Sequence, residues 1–207
     1  MARHYSIKLR AAILTALTLA LAAACFGFWL GGWSENGAVL ASRYTARVSF
    51  YWFIAAWSAS SIASIWPGGW RLQLLKRRRA IGLGFATAFG VHFATFFTAI
   101  YVFDHSSEIT KIIGGGIGYL FAAAMAATSN DWSIKTLGPR RWKLLHALGG
   151  WILFAIFSLS YFNSLEPKPF SAIPALLVVV VVIYLRLVVT TKRFRQHRSR
   201  HVTLLTQ

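Results

Sequence analysis

A chain of 207 residues that is 57% hydrophobic and 13% charged departs from a soluble domain, where roughly a quarter of residues are charged, and reads instead as a polytopic membrane protein. Its net charge of +17 would suggest nucleic acid if the protein were soluble. Here the cations stand in short clusters between apolar runs, with no basic surface interleaved with stacking aromatics, so membrane topology accounts for them and no nucleic-acid partner is expected.

The N-terminus carries Arg3, Lys8 and Arg10 and then turns apolar. LAAAC, ending at Cys25, hints at a lipoprotein cleavage site, but the apolar run continues through Phe26, Phe28, Trp29 and Leu30, long enough to span. Cys25 is the single cysteine, which excludes an intrachain disulfide and a thiolate metal cluster. The first span is therefore placed at about 11–30, followed by a short polar loop with Glu35, Asn36, Gly37 and Arg43. A second span, about 45–66, stops at Trp66-Pro67-Gly68-Gly69. Four cations, Lys76 to Arg79, open a third at about 80–103, which holds His92 and closes on Asp104 and His105. The fourth is placed at about 112–128, with Gly114 and Gly118 as a small-xxx-small pair for helix packing. A polar connector, SNDWSIKTLGPRRWK, leads to a fifth span at about 142–162 that bears His146, and a sixth at about 171–190 precedes a basic tail, 191–207. The fold class expected is all-α, a six-transmembrane-helix bundle over 11–190, with 1–10 as a cytoplasmic N-terminus.

Charge sets the expected orientation. With a cytoplasmic N-terminus, the inner segments hold the clusters at Arg3–Arg10, Arg71–Arg79, Lys135–Lys143 and Lys192–Arg200. The outer segments hold only Arg43, Arg47, Lys111 and Lys168, and four of the acids, Glu35, Asp104, Glu108 and Glu166. Both termini are then cytoplasmic, in the inner (plasma) membrane. Arg186 lies within the last span, close enough to its inner end to snorkel.

Among the histidines, His4, His197 and His201 fall in the basic termini, and His105 reads as interfacial. His92 and His146 remain. His92 stands thirteen residues beyond Arg79, roughly 20 Å along a helix and past the bilayer midplane. His146 stands three residues beyond Lys143, near the inner surface, with Gly149 and Gly150 on its own helical face. An ionisable group inside a span is a functional candidate by default. Imidazole is a standard axial ligand of haem iron, and small neighbours leave room for a flat macrocycle. The same features suit a histidine bonded across helices to a serine or threonine, with the glycines admitting a neighbouring helix. No dinucleotide fingerprint or P-loop is present. The acids lie in loops and the prolines at span ends, which argues against a proton-coupled transporter.

Three stretches carry a resemblance: RRRAIGLGFATAFGVHFATFFTAIYVFD, TARVSFYWFIAAWSASSIASIW and AATSNDWSIKTLGPRRWKLLHALGGWILFAIFSLSYF. In this order they resemble the third, second, and fourth-to-fifth helices of the ferric-reductase-like transmembrane domain family, over about 45–163. Within that family they are most similar to the haem-binding membrane subunit of the periplasmic methionine sulfoxide reductase system. The resemblance implies a b-type haem protein passing electrons across the inner membrane, fed by quinol or by a separate flavin reductase. It implies a periplasmic redox partner subunit as acceptor, and an electron-transfer subunit rather than a self-contained enzyme. It carries haem ligation onto His92 and His146. The family's fifth helix usually bears a second histidine thirteen residues after the first; here Leu159 stands there, followed by Ser160 and Tyr161. Tyr161 is then a possible substitute ligand, and a scaffold that keeps the fold without its ligand set is the competing expectation.

Overall fold

The computed structural model describes the backbone of residues 2–205 and the side chains of residues 9–192. His4, His197 and His201 lie outside the described side chains, as does the basic tail beyond Lys192. Eight helices occur among the described residues: α1 (Ala2–Gly31), α2 (Glu35–Ile65), α3 (Gly69–Lys76), α4 (Arg78–Tyr101), α5 (Ile109–Ala127), α6 (Asp131–Leu137), α7 (Pro139–Phe162) and α8 (Pro169–Leu205). Six contain stretches long and apolar enough to cross a membrane: Leu9–Gly31, Glu35–Ile65, Arg78–Tyr101, Ile109–Ala127, Pro139–Phe162 and Pro169–Lys192. The protein is an all-α, multi-pass membrane protein, as the hydropathy pattern implies.

The second helix starts earlier than its expected boundary at 45. Ser34 caps α2, its Oγ accepting from the Gly37 N–H at 3.3 Å, with Glu35 in the first turn where the helix dipole favours an acid. The residues read as a polar loop are instead a first helical turn pressed against the end of α1. Gly27 abuts the main chain of Ala41, and Gly31 that of Gly37, with no room for a Cβ at either glycine. Close approach through small residues is how helices associate where no hydrophobic gradient drives them together. On the other side, α4 joins the pair through Ala88 against Ala16 and Ala20, and Gly84 lies under the Trp52 ring. Helices α1, α2 and α4 thus form a tight trio.

The remaining helices pack on this trio more loosely. α5 pairs with α7, and α8 lies against α2 and α7. Gly118 does the packing on α5, facing Leu153, Ile156 and Phe89, whereas Gly114 faces open space, so only one of the two expected glycines meets a helix of this chain. Between the trio and α5–α7 runs a seam of aromatic rings. Phe50 meets Tyr161 at 4.8 Å, Phe53 meets Phe157 at 5.6 Å, and Trp57 stacks on Phe154 at 4.4 Å. Phe85 and Phe89 complete the seam from α4. Such rings carry much of the packing energy of a core, in tilted and edge-to-face contacts.

The arginine cluster ties the connectors to this frame. Arg79 pairs with Asp131 at 2.8 Å and donates to the Ser129 carbonyl at 2.7 Å. Arg78 Nε donates to the Ala56 carbonyl at 3.1 Å. At the opposite end His105 Nδ1 meets Glu35 Oε1 at 2.7 Å, closing the α4 exit onto the start of α2. Gly138, at φ 78°, supplies the left-handed residue that lets α6 turn into α7.

Candidate functional site

His92 sits in the middle of α4, on the half-buried flank that faces α2 and α5. Its Nδ1 lies 3.3 Å from Thr45 Oγ1. The threonine proton is already committed, since Thr45 Oγ1 donates to the Ala41 carbonyl at 2.8 Å. Thr45 Oγ1 also lies 2.9 Å from the Ser42 carbonyl and 3.0 Å from Thr95 Oγ1, which donates to the His92 carbonyl at 2.9 Å; with its own proton on a carbonyl, its lone pairs face His92 Nδ1. In the tautomer that this network suits, the proton of the neutral imidazole is on Nδ1 and the lone pair on Nε2. The Ser42 backbone is a further hydrogen-bond partner of the ring, and no side-chain partner of Nε2 occurs among the described residues. A ring held by an Nδ1–H bond with Nε2 left as donor atom is the arrangement of a metal-ligating histidine with an orienting partner. Around the ring stand Phe89 at 5.6 Å, Tyr119 at 5.9 Å and Phe96 at 6.3 Å. Phe93, edge-on to Tyr119 at 4.8 Å, is half-exposed on the bundle surface.

His146 has the opposite polarity. Thr128 Oγ1 donates to the Ala124 carbonyl at 2.7 Å and lies 3.2 Å from His146 Nε2, an arrangement that suits the tautomer with the proton on Nε2. That leaves the lone pair on Nδ1, beside the residue's own main chain, which is the more crowded donor position. The ring lies against Trp142 at 4.2 Å, and the Trp142 indole N–H donates to the Thr128 carbonyl at 2.9 Å. The glycines beyond His146 leave no vacancy. Met125 and Phe121 lie over Gly149, and the Trp57 indole lies over Gly150. The room they make is used by packing side chains, one of the two uses the sequence left open.

The two histidines are not brought together. His92 touches Tyr119 and His146 touches Thr128, nine residues apart on α5, roughly 13 Å along its axis. This agrees with the depth difference read from their distances to the cationic anchors. Leu159 is 60% exposed, on the outward face of α7 with Leu148, Trp151 and Phe162. Tyr161 points the other way, into the seam against Phe50. Leu159→His is therefore expected to add no metal ligand to the bundle interior: its absorption spectrum should match that of the parent protein. Among the described residues no cluster of three or more His, Cys, Asp or Glu forms a metal site.

Sequence reasoning found the histidines but not their partners. Thr45 is 47 residues from His92 and one of many hydroxyls in the chain. Only the packing of α1 on α2, which sets the rotation of α2, turns it toward α4. The end of the bundle that holds Arg43 and Arg47 also brings a third cation close to them. Lys168, just before α8, is held below its usual pKa, first by burial and then by repulsion from Arg43 and Arg47.

No protein-family model matches the chain. It is 38% identical over 84 residues to the "Protein-methionine-sulfoxide reductase heme-binding subunit MsrQ" of Brucella anthropi. It is 39% identical over 84 residues to the proteins of that name from Brucella ovis and Brucella canis. Each match covers 37% of this chain, and the chain spans 37% of the length of the curated relatives it matches. Over that stretch the chain is MsrQ-like, and the resemblance read from its motifs is borne out to that extent.

Proposed function

We propose that this protein is a b-type haem electron-transfer subunit of the inner membrane, with both termini cytoplasmic. Electrons enter from a quinol or a flavin reductase and leave to a periplasmic acceptor. The observation that carries this reading is His92 with Nδ1 against Thr45 and no side-chain partner at Nε2 among the described residues, supported by the partial likeness to haem-binding subunits. The donor set fits a haem at His92: an oriented imidazole in an apolar, aromatic setting next to a half-exposed flank. Haem bound there supplies a one-electron iron couple. The chain's own part is to fix the imidazole through Thr45, hold the polar pair Thr45–Thr95 away from lipid, and exclude water with Phe89, Phe96 and Tyr119. Phe93 and Tyr119, edge-on at 4.8 Å, stand between the imidazole and the half-exposed flank.

We assign His146 to a second level of the bundle, where ligation through Nε2 requires its ring to exchange the Thr128 bond. The competing reading is a non-haem scaffold. Leu159 on the outward face and the filled glycine positions favour it. An absorption spectrum of the protein purified in detergent separates the two. A Soret band that shifts on dithionite reduction supports the haem subunit, and a colourless protein after expression with haem precursor overturns it. Thr45→Val should weaken haem retention by about 10–100-fold, the usual effect of losing an orienting partner, and shift the midpoint potential of what remains. Unchanged retention and potential would show that Thr45 is only packing.

A further inference from the structure

Arg186 sits inside the span Pro169–Lys192 and does not snorkel away from the bundle. Its guanidinium lies 3.5 Å over the Trp57 ring and 5.5 Å from the Trp151 ring. Nη2 donates to the Trp57 carbonyl at 3.0 Å. Nε is enclosed and has no hydrogen-bond partner. The ion pairs among the described residues engage Asp131, Glu35 and Glu108, none of them with Arg186. Arg78, a second cation, lies near enough to repel it. Two guanidiniums without a carboxylate, at the cation-rich end of a membrane bundle, call for an anion from outside the chain.

A cavity stands beside Arg186, lined by Ser60, Ser61, Trp151, Val189 and Thr190, of about 120 Å³. Ser61 is buried, and its hydroxyl is spare for the same reason that Arg186 is held. Other α2 hydroxyls donate to the carbonyl four residues back, as Ser58 does to Ile54 and Ser64 to Ser60. The corresponding carbonyl for Ser61 is that of Trp57, which receives Arg186 instead. The cavity is thus lined by the Arg186 side chain, which no carboxylate of the described residues pairs, and by a serine whose hydroxyl has no partner among the described residues. It is well below the ~300 Å³ at which pockets for drug-sized rings begin, and it suits one tetrahedral oxyanion. Trp151 and Thr190 are exposed on the bundle's membrane-facing surface, so the occupant reaches in from the bilayer.

We propose that Arg186, with Ser61 beside it, binds the headgroup phosphate of an anionic phospholipid. This site is separate from the histidines and stands whether or not haem is bound. The test is native mass spectrometry of the detergent-purified full chain, titrated with phosphatidylglycerol, with phosphatidylcholine of the same acyl chains, and with inorganic phosphate. The wild type should retain one phosphatidylglycerol about tenfold more strongly than phosphatidylcholine, the scale of one charge-assisted hydrogen-bonded contact. Arg186→Gln should erase that preference. Ser61→Ala, which keeps the Trp57 contacts, should reduce it severalfold, and decides the matter if Arg186→Gln does not fold. Equal retention of the two lipids by the wild type overturns the proposal, as does an unchanged preference in the folded variants. Displacement of the lipid by excess inorganic phosphate also overturns it, because the site would then be one for free anions.

Discussion

His92→Ala is expected to remove at least about half of the reducible Soret absorbance, and all of it if only one haem is held, since the haem at that level would lose its axial imidazole. The loss should be chemical rather than structural. Removing the ring leaves Thr45 Oγ1 still donating to Ala41 and still next to Thr95, so the polar pair keeps partners. The stability cost then stays near the ~1–3 kcal/mol of one unmade buried hydrogen bond. Free imidazole added to the variant should enter the space left and restore part of the spectrum, an outcome a misfolded protein cannot give. His146→Ala should leave the His92-dependent band in place, because its ring contacts a different helix end. A full Soret band in His92→Ala would remove His92 from the site altogether.

How far this arrangement can be read from sequence depends on whether its cause is local. The six spans are legible because a run of some twenty apolar residues between charges has one physical use. The start of α2 is not. Glu35, Asn36 and Gly37 are poor markers of a helix interior, and they become helical because Ser34 caps them and because Gly27 and Gly31 let the main chain of α2 close on α1. His92 stands out as an ionisable group in an uncharged span, whereas Thr45 acquires its role only from the rotation that this contact imposes. Arg186 shows the same limit. Charge placement suggests snorkelling, and it takes the Trp57 ring, 129 residues away, to hold the guanidinium in the bundle. Leu159 is the converse case: spacing marks the position, but the outward turn of α7 at that residue appears only in three dimensions.

The contact between Gly27 and Ala41 gives the second large effect. A Cβ on Gly27 would fall on the Ala41 main chain rather than on a side chain able to move aside, so Gly27→Ala must push α1 and α2 apart. Overpacking of this kind costs about 1–3 kcal/mol, and for a chain near 200 residues the thermal midpoint in detergent should fall by roughly 2–4 °C per kcal/mol. Gly114→Ala is the control: it has open space, so the midpoint should hold or rise slightly with the gain in helix propensity. The displacement also has a chemical path to the site. The Ala41 carbonyl lies 2.8 Å from Thr45 Oγ1, and a Thr45 proton held there leaves the oxygen to accept from His92 Nδ1. Shifting Ala41 therefore loosens the bond that fixes the His92 tautomer. Gly27→Ala should lower the midpoint and move the haem spectrum in the direction of Thr45→Val, while Gly114→Ala moves neither. A destabilised Gly27→Ala with an unaltered spectrum would show that the α1–α2 contact supports the fold without setting the histidine.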